Sequence, residues 1–125
     1  MKHRKIGVEE KLSAVYNSAL DKKGINPLAF DVRGISSVAD VFMMVSGSSS
    51  RQIMAIVDAI EGTLREMGEK SYHIEGYGKA WWTLIDAGDV VVHVFAEEAR
   101  EYYGLESLWA DAPKLTPGPA VAERR

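Results

Sequence analysis

The sequence contains no cysteine, which excludes a disulfide framework and any metal site that depends on thiolate ligands. It also lacks an apolar run of about 18 residues, the length that a membrane-spanning helix needs. The basic residues 1–5 lead into no apolar stretch of the kind found in secretory signals. We therefore expect a cytoplasmic protein.

An excess of basic residues is missing as well. The chain has 15 lysines and arginines against 18 aspartates and glutamates, and its formal net charge is −3. General nucleic-acid binders usually carry a basic face that neutralises phosphates. Acidic residues are instead concentrated over 97–111, and such a surface repels RNA but attracts a basic protein. We expect a protein partner and no sequence-specific nucleic-acid binding.

The hydrophobic pattern is that of one α/β domain, and 125 residues suit a single core. The spacing predicts a helix over 8–23, a second helix from the serines at 48–50 to Gly68, and a short helix over 97–103. Strands are predicted over 28–32, 41–45, 71–74, 81–86 and 90–95. The fold class is therefore α/β, with a mixed β-sheet of about five strands and flanking helices.

Turn residues refine this prediction. Gly24 is expected to adopt the positive φ that ends the first helix. The central strand–turn–helix unit predicts a parallel strand pair, and the connection at 87–89 predicts an antiparallel hairpin. The domain is predicted to cover residues 1–112. The tail over 113–125 is rich in proline and glycine, and we predict that it is disordered.

Patterns that support catalysis are incomplete. The turn at 46–51 follows an apolar strand and opens a helix, where free N–H groups favour an anion. It is similar to the glycine-serine loop of nucleotidyltransferases, but those enzymes need paired carboxylates for magnesium, and the sequence shows no such pair. His73 and His93 lack metal-ligand spacing and are expected to be packed or hydrogen-bonded. We predict no catalytic residue, metal or cofactor; the alternative is residual nucleotide binding or nucleotidyltransferase-like activity at 46–51.

Aromatic residues are concentrated towards the C-terminal end. All three tryptophans lie between residues 81 and 109, together with Tyr102 and Tyr103. Trp81 and Trp82 are adjacent on a predicted strand, so their rings must project from opposite faces of the sheet. If helices cover only one face, one ring is exposed unless a partner covers it. A core role and an interface role both remain open for this aromatic group.

Two stretches of the sequence resemble the ribosomal silencing factor family, also called Iojap or RsfS. The first comprises DVRGISSVAD at 31–40 and VSGSSSRQ at 45–52. The second comprises Glu75-Gly76, Trp82, DAGDVVVHVF at 86–95, Arg100, Tyr103 and LESLW at 105–109. The similarity extends from the first helix to Pro113, and it is most specific over 86–109.

This resemblance implies a fold related to nucleotidyltransferases that has lost their catalytic carboxylates. It implies binding to protein fourteen of the large ribosomal subunit, which sterically blocks joining of the small subunit and represses translation when nutrients are scarce. It implies no required metal, nucleotide or substrate, and often a homodimer. A further alternative is a plain dimerisation module whose acidic strip is turned inward.

The resemblance also implies which residues contact the partner. Eight residues are predicted to bind it: Glu75, Trp82, Leu84, Asp86, Asp89, Tyr103, Leu105 and Trp109. The resemblance selects Trp82 as the outward one of the two adjacent tryptophans and as the apolar anchor, with Leu84 on the same strand face. The three acids would meet basic side chains of the ribosomal protein. The last three residues of the set either extend the interface or close the core. Arg100 is expected to pair with a carboxylate, Asp86 or Asp89.

Overall fold

The computed structural model describes residues 6–37, 39–78, 81–103 and 112–117, with 101–103 described as backbone only. It contains three helices and six strands within those ranges. In chain order the elements are α1 (Val8–Asp21), β1 (Ile25–Asp31), β2 (Val41–Gly47), α2 (Ser50–Glu66), β3 (His73–Glu75), β4 (Trp82–Asp86), β5 (Val90–Ala96), α3 (Glu97–Tyr103) and β6 (Lys114–Leu115). None of the helices described is both long and apolar enough to cross a bilayer.

The strands form one mixed sheet in the order β3-β4-β5-β2-β1-β6. The central strands β2 and β5 are parallel, and every other neighbouring pair is antiparallel. Both pairing predictions are thus confirmed, as is the mixed α/β class. The sheet has six strands because Lys114 and Leu115 pair with Phe30 and Ala29. The predicted disorder of the tail is wrong for these two residues, because a two-residue edge strand is too short to produce a periodic signal in the sequence.

Helices α1 and α2 cover one face of the sheet. Their apolar stripes pack against alternate residues of the two central strands, and all these side chains belong to one buried cluster. The residues that the two central strands contribute to this cluster are Val41, Met43, Val45, Val90, Val92 and Val94. The uninterrupted apolar runs at 41–45 and 90–95 follow from this arrangement, because central strands present apolar side chains on both faces.

The opposite face of the sheet carries a second, smaller cluster. It contains Phe30, Met44 and Phe95 from the strands and Ala99 from α3, with Trp82 packed at its edge. Among the described residues, the helix that packs on this face is the seven-residue α3, whereas two long helices cover the other face. The side chains that alternate with the helix-side core project here.

The end of α1 differs from the prediction. The helix ends at Asp21 rather than Lys23, and the positive φ of 61° falls on Lys23. The Lys23 amide donates to Leu20 O and the Gly24 amide to Ala19 O, both at 2.9 Å, as in a Schellman motif. Gly24 is needed for space instead, since a Cβ there would lie 2.6 Å from Val45 Cγ2. The predicted serine cap and glycine stop of α2 are confirmed, at Ser49 and Gly68.

Candidate protein-interaction surface

Strand β4 separates its side chains between the two faces of the sheet. Thr83 and Ile85 are buried, and Ile85 belongs to the helix-side cluster. The alternating residues Trp82, Leu84 and Asp86 are half-buried. They therefore project from the face opposite α1 and α2. Leu84 shares this face with Trp82, as predicted.

The neighbouring edge strand adds a carboxylate to the same face. Glu75 of β3 pairs with Leu84 of β4, and residues directly opposite in an antiparallel pair project to the same side. Glu75 is exposed and lies 3.2 Å from His73 Nε2. We call the set Glu75, Trp82, Leu84 and Asp86 the acidic–aromatic face. Half of the eight predicted partner-binding residues are thus brought together by the sheet.

Trp82 has a defined setting within this face. Its indole Nε1 donates a hydrogen bond to His93 Nδ1 at 3.2 Å. Its ring meets Phe95 edge-on, with centroids 5.5 Å apart. The preceding Trp81 lies outside β4, and its side chain is 46% exposed. Our interpretation of Trp82 as the outward tryptophan needs correction, because Trp81 is the more exposed of the two and Trp82 rests partly on the second core cluster.

His93 lies at the centre of this aromatic group. Its ring contacts those of Phe42, Trp82 and Phe95, at centroid distances of 5.5, 5.9 and 6.3 Å. Burial lowers the pKa of His93 from 6.5 to about 4, because a charged imidazole would lose its hydration there. An indole N–H is only a donor, so Nδ1 must be unprotonated to accept it. His93 is accordingly a packed, hydrogen-bonded histidine, as the sequence indicated.

This setting predicts acid sensitivity. The folded-state pKa of His93 lies below the unfolded value, so the folded protein binds fewer protons between the two values and loses stability as the pH falls from 6.5 towards 4. Between pH 7 and pH 5 the contribution of His93 to the free energy of unfolding should fall by about 2 kcal/mol. Urea unfolding of the wild type and of His93→Asn at both pH values isolates this contribution. If the free energy of unfolding falls by the same amount between pH 7 and pH 5 in the two proteins, this prediction is wrong.

Asp89 lies in a different environment from the acidic–aromatic face. Its Oδ1 accepts a hydrogen bond from Lys11 Nζ at 2.8 Å, and Lys11 also contacts Glu69 Oε1 at 2.7 Å and Ala87 O at 2.9 Å. Burial lowers the pKa of Lys11, but the bonds to Asp89 and Glu69 outweigh it and leave that pKa raised. Asp89 therefore ties the β4–β5 hairpin to α1. Lys11 was missed, although its position three residues after Val8 and four before Val15 places it on the apolar stripe of α1.

Arg100 does not reach the acids that we expected it to pair with. Its NH1 group donates to Ser46 Oγ at 2.9 Å, and its guanidinium lies 6.0 Å from the centre of the Phe95 ring. Strand register explains the difference, because Ser46 pairs with Phe95 at one end of the sheet, whereas Asp86 pairs with Val91 at the other. Asp86 instead accepts the Gly88 amide at 2.9 Å within the hairpin.

Three predicted residues have no described side chain. Tyr103 ends α3, where the structure gives the backbone alone, and Leu105 and Trp109 lie outside the described residues. Their roles therefore stay predictions.

The turn at 46–51 uses its polar groups internally. Gln52 Oε1 accepts from the Ser48 amide at 2.7 Å, and Gln52 Nε2 donates to the carbonyl oxygens of Lys22 and Lys23. Ser49 Oγ accepts the Gln52 amide at 3.1 Å. The bond to Ser49 caps the start of α2. The bonds from Gln52 to Lys22 and Lys23 connect the start of α2 to the end of α1. In the part of the chain that the structure describes, no group of three or more potential ligands is placed to hold a metal ion.

Comparison with known proteins gives a consistent result. A family model described as "Ribosomal silencing factor during starvation" matches residues 5–125. The ribosomal silencing factor RsfS of Halalkalibacterium halodurans is 44% identical over 107 residues, which cover 86% of this chain and 92% of that protein. The crystal structure of a Chromobacterium violaceum protein superposes with a TM-score of 0.81 at 31% identity, covering 93% and 94% of the two chains.

A more distant relative comes from mouse. The protein named "Mitochondrial assembly of ribosomal large subunit protein 1" is 34% identical over 73 residues. The match covers 56% of this chain and 32% of the mouse protein. These relatives are named for ribosomal silencing or for assembly of the ribosomal large subunit, and none of these names is that of an enzyme.

Proposed function

This chain belongs to the ribosomal silencing factor family, and from that premise we propose that it binds protein fourteen of the large ribosomal subunit. Binding there would sterically block joining of the small subunit and repress translation under nutrient limitation. The observation that carries the proposal is the acidic–aromatic face, in which two carboxylates lie next to a pair of apolar side chains. We expect the protein to act in the cytoplasm, where bacterial ribosomes work.

The chemistry of this face suits a basic protein partner. Trp82 and Leu84 offer adjacent apolar surface, and tryptophan is one of the residue types that are enriched among interface hot spots. Glu75 and Asp86 are neighbours of Leu84 on the same side of the sheet. Carboxylates at the edge of an apolar patch select partners that carry lysine and arginine. The exposed acids Glu97 and Glu98 on α3 add steering at longer range.

The proposed activity requires binding alone. Steric exclusion needs no nucleophile, metal or nucleotide, and the internal bonding of the turn at 46–51 favours the reading of that turn as a helix cap. The relationship to nucleotidyltransferases and the homodimer that the resemblance implies are part of this proposal. Neither is needed for the proposed binding.

Replacing Trp82 with alanine tests the anchor. Loss of a hot-spot tryptophan should weaken binding by about 2 kcal/mol, which is roughly thirtyfold. Co-sedimentation with isolated large subunits over a range of protein concentrations measures the change. Leu20→Ala is the matched control, because Leu20 is an exposed apolar residue on the helix side, and this variant should bind as the wild type does.

A subunit-joining assay then connects binding to silencing. The wild type should reduce the yield of joined ribosomes from purified subunits, and Trp82→Ala should need about thirtyfold more protein for the same reduction. Circular dichroism must show that the variant is folded. If folded Trp82→Ala sediments with large subunits as the wild type does, Trp82 is not the anchor.

A further inference from the structure

The indole of Trp82 is held by a polar contact as well as by ring packing. We propose that His93 is a positioning residue for the interaction surface, because its Nδ1 atom sets the orientation of the Trp82 indole that the partner contacts. The inference rests on the proposed function, since it assigns a further residue to the same surface. The sequence predicts only that His93 is a packed or hydrogen-bonded histidine.

Strand register places the two side chains within reach of each other. Trp82 pairs with Phe95, and Leu84 pairs with His93, so that His93 is the diagonal neighbour of Trp82 on the same face. The indole spans this diagonal and donates from Nε1 to His93 Nδ1 at 3.2 Å. The remaining imidazole proton then lies on Nε2.

The imidazole is itself held in place by its neighbours. Phe42 contacts it edge-on at 5.5 Å, and the ring of Phe95 lies at 26° to it with centroids 6.3 Å apart. Phe95 also supports Trp82 edge-on, so that the three rings of Trp82, His93 and Phe95 are in mutual contact. Rotation about χ2 of an indole is broad without such a contact. A fixed acceptor selects one orientation, and a side chain ordered before binding loses less freedom in the complex.

Two substitutions separate positioning from a purely structural role. Asparagine and leucine both branch at Cγ and have similar shapes, but asparagine places an acceptor oxygen where His93 has Nδ1, whereas leucine has a methyl group there. Leucine is the better residue for packing in an apolar environment. If His93 has only a structural role, His93→Leu should therefore bind better than His93→Asn. If His93 positions Trp82, His93→Asn should bind better than His93→Leu.

The expected binding results follow that order. His93→Leu should weaken co-sedimentation with isolated large subunits by about fivefold, the equivalent of one hydrogen bond. His93→Asn should recover most of that loss, although urea unfolding should show it to be the less stable variant. Weaker binding by His93→Asn than by His93→Leu would overturn the proposal.

Nuclear magnetic resonance provides a readout that needs no ribosome. The indole N–H resonance of Trp82, assigned by its absence in Trp82→Phe, should move upfield and exchange faster with solvent in His93→Leu. It should stay near its wild-type position in His93→Asn. A resonance that does not move in His93→Leu would show that the hydrogen bond is not formed in solution, and the proposal would fail.

The Trp82→Phe background separates this proposal from the proposed function. Phenylalanine has no N–H to donate, so that adding His93→Leu to it should change binding by less than about twofold. If Trp82→Ala binds normally, the proposed anchor fails. If Trp82→Ala binds weakly and His93→Leu binds normally, only the role of His93 fails.

Discussion

Replacing Phe95 with alanine should lower the free energy of unfolding by about 4 kcal/mol, within the range for a buried phenylalanine. Phe95 is fully buried and contacts Trp82, His93 and the guanidinium of Arg100. Its removal leaves a cavity beside Trp82, its cross-strand partner on the acidic–aromatic face. The neighbouring rings are packed against one another and cannot all move in to fill that cavity. Urea unfolding monitored by circular dichroism measures the loss.

Phe95→Leu is the matched control for this variant. Leucine keeps most of the apolar volume, so that its effect should be about 1.5 kcal/mol or less. Similar losses for the two variants would mean that ring geometry, rather than filled volume, determines stability here. A loss of less than about 2 kcal/mol for Phe95→Ala would show that the second cluster relaxes around the cavity.

Replacing Lys11 with methionine should lower the free energy of unfolding by about 3 kcal/mol, at the lower end of the range for a broken buried ion pair. Lys11 is 4% exposed, and its ammonium satisfies two carboxylates and the carbonyl oxygen of Ala87. Methionine preserves the packing of the stem but leaves Asp89 and Glu69 facing each other without a cation. These carboxylates keep some access to water, which limits the loss.

The pH dependence of this network has a definite sign. The pKa of Lys11 is raised above 10.5, so that its contribution to the free energy of unfolding is complete at neutral pH and is lost only as the pH rises through the folded-state pKa.

Lys70→Met serves as the control for Lys11→Met, because Lys70 is exposed and should contribute less than about 0.5 kcal/mol to the free energy of unfolding. If Lys11→Met is as stable as Lys70→Met, the buried network makes no net contribution to stability.

Local signals were sufficient for most of the fold. The stripe of α2 was clear because its apolar residues repeat every three to four positions, and the serine cap with the glycine stop marked both ends. The strands β2 and β5 were clear because apolar residues follow one another without a break. The error at α1 was small, because Lys23 takes the left-handed conformation that glycine usually adopts. Strand β6 was missed, because pairing with β1 rather than any local preference creates it.

The candidate site was predicted only in part. Alternation along β4 assigns Trp82 and Leu84 without ambiguity, since they are two residues apart and must share a face. The same alternation extends to Asp86, but Asp89 lies in the connection after the strand, where alternation predicts no direction for a side chain. In the fold, Asp86 stays on the strand face, whereas Asp89 turns towards α1 and binds Lys11.

The sequence by itself determined the α/β class, the two long helices, the central strands, and the position of Trp82 and Leu84 on the same face of their strand. Each of these depends on neighbours within a few positions along the chain. Only the tertiary structure decided that Glu75 lies beside Leu84, that Lys11 holds Asp89, and that His93 accepts a hydrogen bond from Trp82. These contacts join different elements, up to 78 positions apart for Lys11 and Asp89. They depend on strand register and on the packing of α1 against the hairpin, which no local pattern contains.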